Sequence, residues 1–211
     1  MLKPIKYIGV FALLLAVGLF TSGCNNLKYT FGGTIPSQSG TEGDKANFGG
    51  IVDACNCKDM EWGILDDHCT PMGNILYHDD KSTIKPPLHI KAKPVKVFDC
   101  SGDHIPWRFR ADECDVCDYL ADNVCTDDVQ FMFAAKIIYK SQNPKVKNGK
   151  YINKQTGIIC LTDNGEGANA DQPDFAAIKL TYGPYVGYKN CGPVSGNVQE
   201  HECDEYLDET F

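Results

Sequence analysis

The sequence predicts a mainly β protein, an antiparallel sandwich or barrel that is stabilised by disulfides and carries one short helix. Three observations support this prediction. Several segments alternate apolar and polar residues with the period of two that is typical of half-buried strands. Glycine, proline and asparagine residues that favour turns separate these segments. The 211 residues also include 11 cysteines, a density typical of exported domains with a disulfide framework.

The first 47 residues are predicted to precede the folded domain. Residues 1–23 begin with two lysines and continue with an apolar run from Ile8 to Phe20, which is the order of charge and apolar residues in a secretory signal peptide. Residues 24–47 are polar and rich in glycine, and we interpret them as a flexible tether. The cysteine-rich, β-rich domain is then expected to span residues 48–211.

The first part of this domain gives weaker signals than the second. Residues 49–80 have little periodicity and are expected to be mainly loops that disulfides hold together. Residues 82–99 alternate apolar and polar side chains until Pro94, after which the alternation changes phase. Because proline cannot donate a hydrogen bond to a neighbouring strand, this segment predicts an edge strand with a break.

Residues 111–125 are predicted to form the single helix. Asp112 and Glu113 fall in its first turn, where the helix dipole favours negative charge. The apolar residues recur at intervals of three and four, which places them on one face of a helix. These residues are Cys114, Cys117, Leu120, Ala121 and Val124.

The second part of the domain carries the clearest strand signals. In residues 129–139, apolar residues occupy every second position and alternate with residues that include Gln130, Met132 and Lys136; the apolar ones are Phe131, Phe133, Ala135, Ile137 and Tyr139. Asn148 and Gly149 form a dipeptide that is typical of a tight hairpin turn, so residues 151–161 are expected to be the antiparallel partner strand. Residues 175–188 repeat the alternation and predict a further strand.

Cys24 directly follows the small residues at the end of the apolar run. A cysteine after Ser22 and Gly23 resembles the lipobox of bacterial lipoproteins, although Thr21 stands where that motif usually has leucine. The resemblance implies that Cys24 receives lipid, including acyl chains such as palmitate, and that the mature chain starts there. More than one acyl chain suffices for stable membrane anchoring. Cleavage at a nearby residue and an uncleaved anchor are the alternatives.

The ten cysteines after Cys24 are an even number, so each of them can pair. Their spacing does not define which cysteines pair. All ten are disulfide candidates, namely Cys55, Cys57, Cys69, Cys100, Cys114, Cys117, Cys125, Cys160, Cys191 and Cys203.

The spacing of the cysteines is also compatible with two other roles, a redox motif and a zinc site. Cys114 and Cys117 form a CxxC motif at the predicted helix start, but acidic neighbours would raise the thiol pKa, and no thioredoxin-like βαβ pattern surrounds them. A structural bridge is therefore favoured over a redox role. A zinc site with four ligands is the other alternative, and its ligands would be Cys55, Cys57, His68 and Cys69.

Residues 163–174 form the most site-like loop, since they combine oxygen-bearing side chains with flexible glycines. Oxygen ligands are those that Ca²⁺ prefers, although the loop does not follow the EF-hand pattern. A solvated hairpin loop is the alternative. The candidate calcium ligands are Asp163, Asn169, Asp171 and Asp174.

Charge is unevenly distributed along the chain. Without the two lysines of the first 23 residues, 18 basic residues face 28 acidic ones, a net charge of −10, which argues against nucleic-acid binding. Two segments nevertheless carry lysines and no acidic residue. If these segments share one sheet face, that face could dock an acidic partner or an anionic envelope polymer; ordinary solvated surface is the alternative. The lysines are Lys85, Lys91, Lys93 and Lys96, and Lys136, Lys140, Lys145, Lys147, Lys150 and Lys154.

No catalytic motif is present. His78, His89 and His201 share no spacing with a pair of carboxylates. His104 lies near Cys100, but a cysteine in a disulfide cannot act as a nucleophile. Neither an enzymatic activity nor a cofactor is therefore predicted.

Two short segments resemble cysteine-rich external regions of TrbL-type proteins, which belong to type IV secretion systems of Rickettsiales-like bacteria. One segment is Trp107–Arg110 with the cysteines that follow it, and the other is Cys160–Gly165. That family is longer and crosses the membrane several times, whereas this chain has a single apolar segment. The resemblance implies a secretion-associated role in the cell envelope and transfers no catalytic residue.

These observations together predict an exported, lipid-anchored protein that is a binding or structural component of a bacterial envelope or surface assembly. Its expected partners are the membrane, through the lipid, and other envelope proteins. A calcium- or carbohydrate-binding extracellular module is the alternative. The carbohydrate-binding hypothesis depends on Tyr182, Tyr185 and Tyr188, because exposed tyrosines are common on sugar-binding surfaces.

Overall fold

The computed structural model describes most of the chain after residue 27, as strands joined by turns and a single helix. The described residues are 28–55, 60–61, 64–65, 70–100, 112–125, 127–148, 155–165, 172–201 and 203. The strands are β1 (Lys28–Pro36), β2 (Lys45–Asp53), β3 (Met60–Glu61), β4 (Ile64–Leu65), β5 (Met72–Asp79), β6 (Leu88–Asp99), β7 (Phe133–Ser141), β8 (Thr156–Thr162), β9 (Phe175–Tyr182), β10 (Lys189–Pro193) and β11 (Ser195–His201), and the helix is α1 (Asp112–Asn123).

Nine strands form an antiparallel, nearly closed barrel. They follow the order β10-β9-β8-β7-β6-β5-β2-β1-β11, and the short β3–β4 hairpin attaches to β6 through Ile64 and Phe98. Most neighbours in space are also neighbours in sequence, which is the arrangement of an up-and-down barrel. The predicted mainly β fold with one helix and disulfides is confirmed, and of the two predicted architectures the chain adopts the barrel.

Side chains close the seam of the barrel. Only Val194 separates β10 from β11, so the two form one long segment that pairs first with β9 and then with β1. On one side of the seam, the side-chain amide of Asn190 donates to the carbonyl of Pro36 at 2.8 Å. On the other side, the backbone N–H of Val198 donates to Asp174 Oδ2 at 2.8 Å. These bonds satisfy edge groups that a further strand would otherwise pair with.

The predicted tether is wrong for residues 28–47, because these residues form β1, a turn and the start of β2. Their glycines indicated a linker but instead permit close packing of strands. Gly33 has a φ of +148°, and a side chain there would clash with the backbone of Ser195 on β11. The folded domain therefore begins at Lys28. Residues 24–27 lie outside the described part of the chain.

The prediction of loops over residues 49–80 is also wrong where the structure describes them. β2 continues to Asp53, and β5 occupies Met72–Asp79 in the middle of the barrel wall. The alternation was hard to recognise because β2 and β5 mix glycine and polar residues with the inward-facing Val52, Ile75 and Tyr77.

The predicted break at Pro94 is confirmed as a bulge, but β6 is not an edge strand. Its pairing with β7 shifts between Pro94 and Lys96, which leaves Val95 without a partner in the register. β5 pairs with the other side of β6 only up to Ala92. Pro94 therefore lies beyond the last residue that β5 contacts, where its missing N–H costs no hydrogen bond.

The predicted hairpin between β7 and β8 is confirmed by their antiparallel register. The Asn148 side chain accepts from the N–H of Ser141 at 2.8 Å and donates to its carbonyl at 3.0 Å. Gly149 lies outside the described residues. β9 ends at Tyr182, earlier than the predicted residue 188, because Gly183 turns the chain with a φ of +113°.

The helix forms as predicted and divides the core in two. The inner core fills the barrel, and there Tyr29 and Phe133 pack with ring centroids 4.4 Å apart. A void of about 20 Å³ lies among the inner side chains, far below the volume of a ligand pocket. The outer core lies between α1 and the outside of the barrel. No helix in the described ranges is long and apolar enough to cross a membrane.

Candidate interaction surface

Within the described part of the chain, four disulfides connect eight of the ten predicted cysteines. Their Cα–Cα distances lie between 5.0 and 5.8 Å, within the normal range for disulfides. The CxxC cysteines bond to different partners, so the predicted structural role is confirmed for them. Cys24, Cys57 and Cys69 lie outside the described residues. The pairs are Cys55–Cys203, Cys100–Cys114, Cys117–Cys160 and Cys125–Cys191.

The outer core is built on one row of side chains that crosses five strands. Residues directly opposite each other in antiparallel strands face the same side of the sheet. All members of the row are buried, and four of the five are small, so α1 can approach the sheet closely. We call this set the helix row; it comprises Phe98, Ala134, Cys160, Ala177 and Cys191.

Two disulfides attach α1 to the helix row. Cys117 and Cys160 join the middle of the helix to β8, and Cys125 and Cys191 join the residue after its last turn to β10. The buried residues of the helix are small except for Leu120, so the apolar contact is modest. Each bridge adds about 2–4 kcal/mol to the free energy of unfolding. The covalent bonds therefore supplement a modest apolar contact. The buried helix residues are Cys114, Cys117, Leu120 and Ala121.

The next outward-facing row carries four lysines beside α1. Lys136 Nζ lies 3.5 Å from Glu113 Oε1. The ammonium groups of Lys179 and Lys189 lie 4.9 and 5.2 Å from the centroid of the Tyr119 ring. The acidic helix thus contacts Lys136 through the carboxylate of Glu113, and it contacts the other two lysines through the face of the Tyr119 ring. We call this set the flanking row; it comprises Lys96, Lys136, Ile158, Lys179 and Lys189.

Beyond the flanking row, the same outer wall is uncovered by α1. Lys91 lies directly opposite Lys140 across β6 and β7, and both side chains are exposed. Leu76 and Tyr182 are 43 % and 58 % exposed. We call this surface the open face; it comprises Leu76, Lys91, Lys93, Ile138, Lys140, Thr156 and Tyr182.

Among the described residues, the strands that carry the lysines of the open face have almost no carboxylates, and Asp79 of β5 is buried inside the barrel. β6 to β10 contain seven lysines and no acidic residue except Asp99 at the end of β6. By contrast, α1 contains five acidic residues and no basic one. The condition that the two lysine-rich segments share one sheet face is met for their strand residues, namely Lys91, Lys93, Lys96, Lys136 and Lys140. Lys150 and Lys154 lie outside the described residues. Lys145 and Lys147, in the adjoining turn, are also exposed.

A pair of histidines borders the open face. His78 on β5 lies opposite His89 on β6, and their rings stack with centroids 4.7 Å apart. Burial and the neighbouring His89 lower the pKa of His78, whereas the carboxylate of Asp80 opposes this shift. His89 Nε2 contacts Asp80 Oδ1. His78 therefore gains positive charge only at a lower pH than an ordinary histidine does.

Two of the three tyrosines predicted for sugar binding are buried. Tyr185 and Tyr188 are 1 % and 0 % exposed. Tyr188 donates to Asp79 Oδ2 at 2.8 Å and shares a 2.7 Å hydrogen bond with Tyr77. These side chains close one end of the barrel, and only Tyr182 is available on the surface. Because Tyr185 and Tyr188 are buried, they cannot contact a carbohydrate at the surface. The carbohydrate hypothesis stays a prediction.

Hydrogen bonds to a buried carboxylate organise this end of the barrel. Asp79 is fully buried and accepts from Ser37 Oγ at 2.6 Å and from the N–H of Gln38 at 3.1 Å. Burial raises the pKa of Tyr188, and the nearby Tyr77 and Asp79 raise it further. Burial also raises the pKa of Tyr139 to about 12. These tyrosines are therefore neutral hydrogen-bonding groups near neutral pH, which suits a structural role.

Two of the four candidate calcium ligands bind backbone amides. Asp174 Oδ1 accepts from the N–H of Asn164 at 2.9 Å, and Oδ2 accepts from Val198. Asp163 accepts from the N–H groups of Gly165 and Glu200 at 2.8 and 2.9 Å. These carboxylates therefore close the seam beside β11. Asn169 and Asp171 lie outside the described residues, and the calcium site stays a prediction.

The described residues contain no cluster of three or more histidine, cysteine or acidic side chains arranged to hold a metal. Cys55 is unavailable to the alternative zinc site because it pairs with Cys203. The other zinc candidates, Cys57, His68 and Cys69, fall in undescribed segments. So do His104 and the segment Trp107–Arg110, and the resemblance to TrbL-type proteins stays a prediction.

Sequence reasoning missed how the lysines divide between the flanking row and the open face. The division depends on the Val95 bulge, which lets both Lys93 and Lys96 face outward, and on where α1 crosses the wall. The acid-rich helix and acid-free strands were the available signal. Comparison of the chain with protein-family models, with curated proteins and with solved structures finds no match.

Proposed function

We propose that the protein is an exported, lipid-anchored component of a bacterial envelope or surface assembly, and that it acts by binding rather than by catalysis. The open face carries the binding part of this proposal, since its described residues include several lysines and no carboxylate, on a chain of net negative charge. Such segregation favours an acidic partner and suppresses association with cationic ones. Association with a secretion assembly is the more specific form of this proposal and rests on two short resemblances.

The disulfides support export. Four bridges indicate an oxidising environment outside the cytosol. The lipid anchor rests on Cys24 and the apolar run before it. If Cys24 carries lipid, the four residues to Lys28 span at most about 14 Å, so the barrel stands close to the bilayer.

Anchoring at Cys24 would also orient the barrel. β1 begins at the same end of the barrel as the disulfide between Cys55 and Cys203. That end would face the bilayer, and the end closed by Asp79 and Tyr188 would point away from it. The open face, on the side of the barrel, would then be accessible to neighbouring envelope proteins.

Mass spectrometry of the mature N-terminus, combined with fractionation of Cys24→Ser, tests this proposal. The expected wild-type protein begins at a lipid-modified Cys24 and stays with the membrane, because several acyl chains hold it there. The Cys24→Ser protein is expected to leave the membrane fraction. An unmodified N-terminus at another residue would contradict the lipid anchor.

A further inference from the structure

We propose that the open face docks an acidic, amphipathic helical segment of a partner protein, in the same way as the adjoining wall holds α1. This inference rests on the proposed function, because it names the surface and the class of partner through which binding occurs. It follows from the composition of the open face, from the space beside α1 and from the contacts that α1 already makes.

The first argument is that α1 shows what this wall binds. α1 places small apolar side chains against the helix row and presents acidic residues at its borders. Glu113 reaches Lys136 of the flanking row, and Tyr119 lies beneath two further lysines. Besides the two disulfides, the wall therefore holds an acidic helix through a central apolar contact and peripheral cations.

The second argument is that the open face offers the same two kinds of group. Lys91 and Lys140 lie opposite each other, and such like-charge pairs are destabilising unless a counter-charge is near. Among the described residues, no acidic residue of β6 to β10 lies nearby to neutralise them, and the carboxylate of Asp80 at the border contacts His89. Between and beside the lysines lie the partly exposed apolar side chains of Leu76, Ile138 and Tyr182.

The third argument is spatial. Ala134 of the helix row and Ile138 of the open face are four residues apart on β7, which corresponds to about 13 Å along the strand. Packed helices have axes 8–10 Å apart. A second helix can therefore lie on the open face next to α1 with room for side chains between them.

The apolar part of the surface favours a protein segment over an anionic polymer. A phosphate-rich polymer would pair with Lys91, Lys93 and Lys140 but would bury nothing against Leu76 or Tyr182. An amphipathic helix uses both kinds of group, with apolar residues on one side and carboxylates at its edges. Helix-in-groove recognition of this kind depends on apolar anchors at intervals of three and four residues.

A synthetic peptide of roughly 18 residues, with leucine at helical spacing and glutamate at its other positions, is a suitable probe. Its affinity for the oxidised protein can be measured by fluorescence anisotropy at low salt. Two double variants are compared, Lys91→Gln/Lys140→Gln on the open face and Lys179→Gln/Lys189→Gln beside α1. Each replaces a pair of lysines that face each other across adjacent strands, so both change the net charge equally.

We expect saturable binding that weakens about fivefold to tenfold in the open-face variant and less than twofold in the flanking-row variant. A peptide with glutamine in place of glutamate is expected to bind more weakly than the acidic one. Thermal unfolding of both variants checks that they fold. Footprinting of the protein with the peptide bound is expected to show protection of β6 and β7.

Three outcomes would overturn the proposal. The acidic peptide could fail to bind, or both variants could lose affinity equally, which would indicate a response to net charge alone. Tighter binding to inorganic polyphosphate, or to vesicles rich in phosphatidylglycerol, would assign the surface to a polymer or to a membrane. The peptide assay is independent of Cys24, so failure of the docking proposal is distinguishable from failure of the lipid anchor.

Discussion

The covered and uncovered parts of the outer wall belong to the same strands but differ in what faces their lysines. In the covered part, α1 supplies Glu113 and Tyr119 to Lys136, Lys179 and Lys189. On the open face, the strands present the same kind of side chain with no acidic helix. Within the described part of the chain, α1 thus provides partners for the lysines on one half of the wall and for none on the other half. This contrast supports our proposal that the open face binds a partner.

The comparison also shows how the covered half is held together. The helix row consists mainly of alanine and cysteine, and α1 adds Leu120 as its largest buried apolar side chain. Apolar burial contributes about 25 cal/mol per Å², so small residues contribute little each. Disulfides make the contact permanent, whereas a partner on the open face would bind reversibly.

The largest expected effect comes from removing the bridge that fixes the middle of α1. The double variant Cys117→Ala/Cys160→Ala opens a loop with a sequence separation of 43 residues, and the chain-entropy relation gives a loss of about 4 kcal/mol in the free energy of unfolding. Denaturant titration measures this loss. Hydrogen exchange is expected to increase first in α1.

A comparison with Cys55→Ala/Cys203→Ala makes this test specific. That bridge joins Cys55, two residues after β2, to Cys203, two residues after β11, and includes no residue of α1. Its removal is expected to destabilise the barrel without selective exchange in α1. A loss below about 1 kcal/mol for the Cys117–Cys160 pair would contradict the structural role that we assign to it.

The second effect concerns packing beneath the helix. Ala177 is buried between Cys160 and Cys191 in the helix row, so Ala177→Leu is expected to cost about 1–3 kcal/mol by overpacking. Lys93→Leu on the open face is the control and is expected to change stability by less than about 0.5 kcal/mol. Equal changes in stability at the two positions would contradict the distinction between a helix row that α1 covers and an open face that it does not cover.

The sequence predicted the elements better than it predicted the surface. The helix was recognisable because Cys114, Cys117 and Leu120 repeat at helical spacing, and β7 because apolar residues occupy every second position from Phe131 to Tyr139. β1 and β2 were missed because glycines such as Gly33 are needed for close strand contact but also characterise linkers. β10 and β11 were missed because their hydrogen bonds divide between β9 and β1, which no local pattern encodes.

The candidate surface was predictable only in composition. The sequence showed that two segments carry lysines without acids, and the register confirmed that they are adjacent. It could not show which lysines α1 would meet, because that depends on the disulfides of Cys117 and Cys125 with distant strands. Tyr185 and Tyr188 likewise could not be distinguished from surface tyrosines before their contacts with Asp79 were known.

A third, smaller effect is a change in stability that should have opposite signs for a lysine of the flanking row and a lysine of the open face. Lys136→Gln removes the contact with Glu113 and also the repulsion with the facing Lys96. We expect the lost contact to dominate and to destabilise the protein by up to about 0.5 kcal/mol at low salt, since the pair is partly exposed. Lys140→Gln relieves repulsion with Lys91 and is expected to stabilise it by a few tenths of a kcal/mol, about the size of a cross-strand pair. Thermal or denaturant unfolding at low and high salt measures both. Changes of the same sign would contradict the distinction between the two rows.

The smallest effect is a pH dependence at the border of the open face. Because the folded protein lowers the pKa of His78 from its ordinary 6.5, the unfolded chain binds the proton more tightly. The contribution of His78 to stability is therefore complete above about pH 6.5 and is lost as the pH falls below it. Denaturant titrations at constant ionic strength are expected to show a shallower decrease for His78→Asn. An unchanged slope would indicate that His78 titrates normally in the folded state.

Lysine footprinting in the intact envelope is the most direct test of the central claim that the open face is a binding surface. An acylating reagent is applied to cells and to the purified protein, and modification is compared at Lys91, Lys93 and Lys140. We predict that these lysines are protected in the envelope and reactive after purification, whereas Lys179 and Lys189 react to the same extent in both. Equal reactivity of the open-face lysines in the two settings would contradict the account.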